Sequence, residues 1–452
     1  MKLHNFVFPP PVEEALAILY ETATAAYVVG GAVRDLVLGR QPRDYDICTD
    51  LTPDQVTTLF EGKGYQVIDT GSAFGTVTVL VEGMPIEVTT FRLDGRYGPD
   101  RKPQSVTFGK NIEEDVARRD FTINAMYCSN QYLYDHYDGC TDLRFRTVAC
   151  VGHPATRLQE DPLRALRAIR FAAQLNFDLE DETQQAVVNN RHLLHHVSAE
   201  RIQAELNKIL LSNHPAKGVT LLQDTGLLGE ILPEIDRLRY FDQHNPRHNK
   251  CVFDHTMRVV EGVPAVLELR LAALFHDVGK PVTFFIDEKG VGHFYGHHKE
   301  GADIARAALR RLKYPNEVVE TVGVLVYEHM ARNPHFRQTG VKRLLRRVGE
   351  DRIDLLFDLM TADVAGHAPP YDFAELVQMK HQIDEIRAAQ EPLHVTDLAI
   401  SGADLIRLGY QPGPMFGQVL NHLLELVLDN AELNKHEVLL PIATTKLEEL
   451  CV

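Results

Sequence analysis

The sequence predicts an α+β protein, in which an N-terminal head built on a mixed or antiparallel sheet is followed by a long all-helical region. Three observations predict it. Strand-like apolar runs fall within the first 150 residues, where short helices interrupt them. From about Asp161 onward, apolar residues recur at i, i+3 and i+4, the helical period. The later breaks are short, clearest at HAPPYDF around Pro369-Pro370 and YQPGPMFG around Gly413.

Taken in order, AYVVGG reads as a strand ending in two glycines, AVRDLVLG as a short helix stopping at Gly39, and DYDICTD as a strand. TVTVLVEG and MPIEVTTFR read as two strands joined at Glu82-Gly83. RLDGRYGPDRKPQSV is charged and rich in Gly and Pro, which predicts a mobile loop. DPLRALRAIRFAAQL, SAERIQAELNKILL and HPAKGVTLLQDTGLL predict amphipathic helices.

The length of 452 residues suggests two to four domains, and 44% hydrophobic residues suffice for large cores. No apolar run approaches the roughly 20 residues of a membrane-spanning helix. The start, MKLHNFVFPPP, has no sustained apolar stretch and is not read as a signal peptide. Six cysteines without a C-x-x-C pair are expected to be reduced thiols in a cytoplasmic protein. A net charge of −16 argues against a nucleic-acid coat or a membrane-surface protein. Basic residues still cluster locally, at Arg118-Arg119, from Arg164 to Arg170, and in KRLLRRVGEDR from Lys342, and a basic stripe for RNA is expected to run from the arginine helix onward.

Asp44 and Asp46 are two apart on the predicted strand, so their side chains share a face. Paired carboxylates repel unless a cation lies between them. Mg²⁺ takes oxygen ligands from one or two carboxylates plus substrate phosphates, and two such ions clamp a phosphoryl displacement. A solvated surface pair is the competing reading. Gly30 and Gly31 lead from strand to helix, where bare backbone and free N–H groups suit phosphate. Arg34 lies in that first turn, a poor place for a cation unless an anion binds there. Glu87, on the outward face of MPIEVTTF, either completes the metal cage or is an exposed strand glutamate. Arg118, Arg119 and Asp120 suit phosphate and ribose recognition, or form a salt-bridged surface turn.

In QEDPLRALRAIRF, Pro162 fits the first helical position, with Asp161 as N-cap. Arg164, Arg167 and Arg170 form one ridge, opposite Leu163, Leu166, Ile169 and Phe171. A solvated arginine stripe is one reading. The other is chemical. Cytosine and adenine both present an amine donor beside a ring-nitrogen acceptor, which Asp161 and Arg164 would satisfy. Guanine and uracil invert both contacts. Such a pair accepts CTP and ATP and rejects GTP and UTP.

The stretches GGAVRDLVLGRQPRDYD, TTFRLDGRYGPDRKP, RRDFTINAM, EDPLRALRAIRF and SAERIQAELNKIL occur in this order over roughly residues 25 to 210. Together they resemble bacterial class II CCA-adding tRNA nucleotidyltransferases. ISGADLIRLGYQPGP and NKHEVLLPIA resemble that family's tail. The resemblance implies a nucleotidyltransferase head over residues 1–150, a base-recognising neck over 151–212, a body over 213–370 and a tRNA-binding tail over 371–452. It implies template-free addition of C, C and A to tRNA. Asp44 and Asp46 would hold Mg²⁺. Gly31, Arg34 and Arg118 would contact nucleotide, Asp161 and Arg164 would read the base, and Arg167 and Arg170 would support the site. The segment from Arg92 to Val106 would be the flexible loop that helps switch from C to A.

A second metal signature follows. His255, His276-Asp277 and Asp363 supply two imidazoles and two carboxylates, a set suited to a divalent transition metal or Mg²⁺. His297, His298 and His329 are nearby candidates for a second ion. The pattern, with Lys280 after it, resembles the HD phosphohydrolase superfamily and implies phosphodiesterase or phosphatase activity. Helix-packing histidines in a vestigial domain are the competing reading. Two rivals to full CCA addition remain: an A-adding, CC-adding or poly(A)-adding enzyme, and a metal-dependent phosphohydrolase whose head merely binds RNA.

Overall fold

The computed structural model describes residues 6–94, 106–109, 111–129, 132–241, 251–332 and 338–450. It has the predicted class. The chain divides into two compact units, Met1–Pro233 and Glu234–Val452.

The first unit is built on a seven-stranded sheet. Its strands are β1 (Ala26–Val29), β2 (Asp46–Thr49), β3 (Gln66–Gly71), β4 (Thr76–Val81), β5 (Met84–Thr90), β6 (Tyr127–Cys128) and β7 (Leu133–Tyr134). Their order is β3-β4-β5-β2-β1-β6-β7. The β2–β5 pair is parallel and the other pairs are antiparallel, which makes the sheet mixed. β4 and β5 form the predicted hairpin. Glu82 and Gly83 both have positive φ (48° and 81°), as a tight turn matched to strand twist requires.

One prediction is corrected here. DYDICTD is not a strand throughout, because β2 begins at Asp46. Val29, the last residue of β1, pairs with Asp46, and the chain then turns away at Gly30. Asp44 and Tyr45 therefore have no partner on β1 to extend the ladder.

Helices α1 (Pro10–Tyr20), α2 (Gly31–Val37), α3 (Pro53–Gly62), α4 (Ile112–Ala117) and α5 (Gly139–Phe145) accompany the sheet. Val29, Cys48, Phe91, Ile112, Val116 and Tyr127 form a core between the sheet and α4. Arg92–Asp94 pairs with Val106–Phe108, and the centre of the predicted mobile loop, residues 95–105, lies outside the described residues. Then come α6 (Pro154–Glu160), α7 (Leu163–Leu175), α8 (Asp181–Asn190), α9 (Ala199–Leu210) and α10 (Pro215–Asp224). Helix α7 begins one residue later than predicted, with Pro162 in the cap position. Asp161 still serves the helix start, since its Oδ1 accepts the Leu163 N–H at 3.1 Å.

The second unit is helical apart from the small β-hairpin Phe285–Ile286 and Gly292–His293. Its longer helices are α11 (Val252–Gly262), α12 (Leu267–Phe275), α13 (His297–Arg311), α14 (Asn316–Glu328), α15 (Gln338–Val348), α16 (Ile353–Gly366), α17 (Ala374–Ala388), α18 (Pro414–Asp429) and α19 (His436–Leu450). Among the described residues, no helix is long and apolar enough to cross a membrane, and Cys48, Cys128, Cys140, Cys150 and Cys251 are free thiols.

Candidate active sites

Sheet register builds the first site. Asp46 pairs with Val29 on one side and with Glu87 on the other, so Val29, Asp46 and Glu87 lie in one row across three strands, and Gly30 follows directly where β1 ends. Asp44 and Glu87 are exposed and Asp46 is half-buried. Burial, then the charges of Glu87 and Asp44, push the Asp46 carboxyl up to about 6, with Arg119 opposing them. Such repulsion among oxygen donors is what a hard divalent cation relieves. The three carboxylates are not drawn into a tight cage. Among the described residues, every set of three or more His/Cys/Asp/Glu residues with donor atoms within 4.8 Å of one another lies in the second unit.

Gly30 takes a φ of 71°, and a Cβ there would meet Arg119 Nη1 at 2.9 Å. Arg34, on α2, is held by Asp35 and by Asn124 Oδ1 at 3.0 Å, with its guanidinium 5.4 Å from the Phe171 ring centre. Asp115, fully buried on α4, binds both Arg118 and Arg119. Burial alone would raise its carboxyl, but Arg119 and Arg118 outweigh burial and hold it below the usual carboxylate range. The sequence pointed to Arg118 and Arg119 for phosphate and ribose, but not to Asp115 or Asn124, which hold Arg118, Arg119 and Arg34 in place. Arg119 is the arginine that lies against Gly30 and whose charge acts on Asp46.

The α7 arginines are not a solvated stripe. Arg164 and Arg170 are buried. Arg164 Nη1 binds Glu160 Oε2 at 2.7 Å, and its Nη2 binds the Arg118 carbonyl at 3.1 Å, which ties α7 to the head. Arg167 pairs with buried Asp120, so RRD is an inner junction rather than a surface turn. Arg170 pairs with Glu205 of α9 and lies 4.3 Å over Phe171. The structure gives Asp161 and Arg164 different partners. Asp161 Oδ2 binds Arg201 at 2.8 Å, a partner the sequence did not suggest.

The expected basic stripe does not continue along KRLLRRVGEDR. On α15, Arg343 and Arg346 pair with Glu425, and Arg347 pairs with Glu328. Carboxylates distant in sequence neutralise these cations.

In the second unit, His255 of α11, His276-Asp277 after α12 and Asp363 of α16 converge. His255 Nε2 is 3.0 Å from Asp363 Oδ1 and 3.2 Å from His276 Nε2. His276 Nε2 is 3.3 Å from Asp277 Oδ2. Asp277 Oδ1 lies 3.5 Å from His297 Nε2, which faces His329 Nε2 at 3.4 Å. Asp277 thus stands between two groups of imidazoles. His298 is not among them and instead packs against Tyr327. His367, one turn after Asp363, stacks on His255 with ring centres 4.4 Å apart and reaches Asp363. The i, i+4 spacing in ADVAGH was the signal for it.

Local geometry prepares these rings for a metal. His276, His297 and His329 each place Nδ1 on the carbonyl three residues earlier, of Ala273, Phe294 and Val326. A carbonyl can only accept, so Nδ1 carries the proton and Nε2 keeps its lone pair. Burial, then the charge of His276, hold His329 down to about 3. The His297–His329 contact therefore sets one lone pair against another, an arrangement a shared cation would turn from repulsive to attractive. Around Asp277, burial favours protonation, but Lys280 and His276 outweigh it and keep the carboxylate charged. The donor set fits divalent metal.

Comparisons with known proteins agree with this geometry. Residues 26–149 match the Poly A polymerase head domain, residues 176–238 the probable RNA and SrmB-binding site of polymerase A, and residues 247–364 the HD domain. The CCA-adding enzyme of Geobacillus stearothermophilus is 33% identical over 434 residues, 95% of each chain. That of Lactobacillus helveticus is 31% identical over 92% of each. The match to the Bacillus pumilus CCA-adding enzyme is 44% identical but spans 50% of this chain and 56% of that protein. The crystal structure of the Bacillus stearothermophilus CCA-adding enzyme in complex with CTP superimposes with a TM-score of 0.72, at 30% identity, over 98% of this chain and 99% of that one. The chain belongs to the CCA-adding enzyme family.

Proposed function

We propose that this protein adds C, C and A in turn to the 3′ end of tRNA, taking CMP and AMP from CTP and ATP and releasing pyrophosphate. The pairing of Asp46 with Glu87 beside the Gly30 turn, in a chain that aligns over 95% of its length with a CCA-adding enzyme, carries this reading. Asp44 and Asp46, with Glu87 beside them, would hold Mg²⁺, which when bound lowers the pKa of the attacking hydroxyl and stabilises the leaving phosphates. Gly30 and Gly31 leave backbone space for the triphosphate, and Arg34 and Arg118 meet its charge. Asp161 and Arg164 read the base edge, while Arg167 and Arg170 brace them from within. No covalent intermediate is needed; the gain comes from positioning and electrostatics. The work divides among a head (1–150), neck (151–212), body (213–370) and tail (371–452).

A second activity, hydrolysis of phosphate esters, is proposed for the second unit. The specific observation is the set of Nε2 lone pairs converging around Asp277. His255, His276, Asp277 and Asp363 would hold one divalent ion, and His297 and His329 a second.

Incubating the protein with tRNA that lacks its 3′ end tests the first reading. CTP alone should add two C residues, and CTP with ATP should add the complete CCA. Addition of A without any C would identify an A-adding or poly(A)-adding enzyme. Addition that stops at two C residues with both nucleotides present would identify a CC-adding enzyme.

A further inference from the structure

At the opposite end of α7 from Asp161, the first unit contains a cavity of about 420 Å³, within the ~300–1,000 Å³ of small-ligand sites. Its polar lining includes Arg40, Arg146, Asn176, Asn213 and His214, over an apolar floor, and no carboxylate lines it. We propose that this cavity is a phosphate-binding site that takes a backbone phosphodiester of tRNA, away from the reacting end. The proposal rests on the tRNA reading above.

The first support is charge. The arginines on α7 and α15 are occupied by the protein's own carboxylates or carbonyls. Arg40 and Arg146 are exposed, and among the described residues neither guanidinium has a hydrogen bond or ion pair. In a chain of net charge −16, two unpaired arginines that line one cavity are where a polyanion is received.

Backbone conformation gives independent support. Arg146 and Asn176 both occupy the left-handed region, with φ of 58° and 59°. That conformation is uncommon for arginine and unfavourable for a residue with a Cβ. It is held in place because the Arg146 carbonyl accepts the Asp178 N–H at 2.9 Å. Arg40 follows Gly39, whose φ of 68° turns the chain out of α2. Helix α10 starts at Pro215, immediately after His214, so its positive end also faces this region. A cation near a helix C-terminus is favourable, which accounts for one arginine after α2 and one after α5. It does not account for both lining the same carboxylate-free cavity.

The site takes a backbone phosphate rather than a free nucleotide because its cations, Arg40 and Arg146, are solvent-exposed, and the one phenyl ring in its lining, Phe177, is buried rather than offered as a stacking face.

The test compares full-length protein with Arg40→Gln, Arg146→Gly and the double variant, glycine being chosen to tolerate the left-handed backbone. Binding of tRNA lacking its 3′ end is titrated without nucleotide at several salt concentrations. The double variant should bind at least about ten-fold more weakly. Its log–log salt slope should be shallower by roughly 0.7–0.9, one phosphate contact. KM for CTP and ATP, and kcat at saturating tRNA, should be unchanged, and the single variant Arg40→Gln should show about half the slope change. Unaltered affinity and slope would overturn the proposal, as would raised KM for CTP or ATP with unaltered tRNA binding, which would make the cavity a nucleotide site. If the parent protein neither binds nor extends tRNA, the tRNA reading fails and this proposal falls with it.

Discussion

At Gly30 the backbone has a positive φ, and a methyl group would press on Arg119 Nη1. Gly30→Ala should therefore cost about 1–2 kcal/mol of stability and raise KM for both nucleotides, which thermal unfolding and steady-state kinetics would check. Unchanged KM would remove Gly30 from the nucleotide site. Asp120 gives a pH-dependent prediction. Burial alone would raise its carboxyl, but Arg167 outweighs burial and lowers it. Its folded pKa is below its unfolded value of about 3.9, so the pair stabilises the fold above that pH and the contribution is lost as pH falls through the folded value. Asp120→Asn should lower stability at pH 7 by about 1–3 kcal/mol and flatten the loss of stability between pH 5 and 3. Parallel profiles for the two proteins in denaturant titrations would contradict this.

At the scale of elements, α7 links the head to the helices that follow it. Its Arg164 binds the Arg118 carbonyl, Arg167 binds Asp120, and Arg170 binds Glu205. Arg170→Ala, which leaves buried Glu205 with the more distant Lys208 at 3.6 Å in place of its close partner, should destabilise the first unit by up to about 3–5 kcal/mol. Calorimetry would check this, and a loss below 1 kcal/mol would show that the pair is dispensable. The arginine ridge itself was legible from its three-residue spacing. Its burial was not, because the covering carboxylates Asp120 and Glu205 lie 47 and 35 residues away. The β4–β5 hairpin was legible because Glu82-Gly83 is a local turn signal. The start of β2 was misread because strand limits depend on the partner strand, and β1 ends opposite Asp46. The second metal cluster was half legible. His276-Asp277 stands out in sequence, whereas the carbonyls that fix each ring's proton, and the stacking of His367 on His255, exist only in the folded chain.

For the whole molecule, the two carboxylate clusters belong to two separate compact units, so their chemistries should be separable. His276→Ala combined with Asp277→Ala should abolish the proposed hydrolysis of phosphate esters, assayed on 2′,3′-cyclic phosphates, and leave nucleotide addition intact; loss of nucleotide addition in this variant would contradict that separation. The central claim is that nucleotidyl transfer takes place at Asp46 and Glu87, beside the Gly30 turn. Incorporation of labelled CTP into tRNA lacking its 3′ end, by the parent protein and by Asp46→Asn, tests it most directly, with thermal unfolding to verify that both are folded. The account predicts that the folded variant loses about two to three orders of magnitude in rate, the scale of removing charge stabilisation from a transition state, while the hydrolytic activity proposed for the second unit is unchanged. Incorporation by Asp46→Asn at a rate close to that of the parent would contradict it.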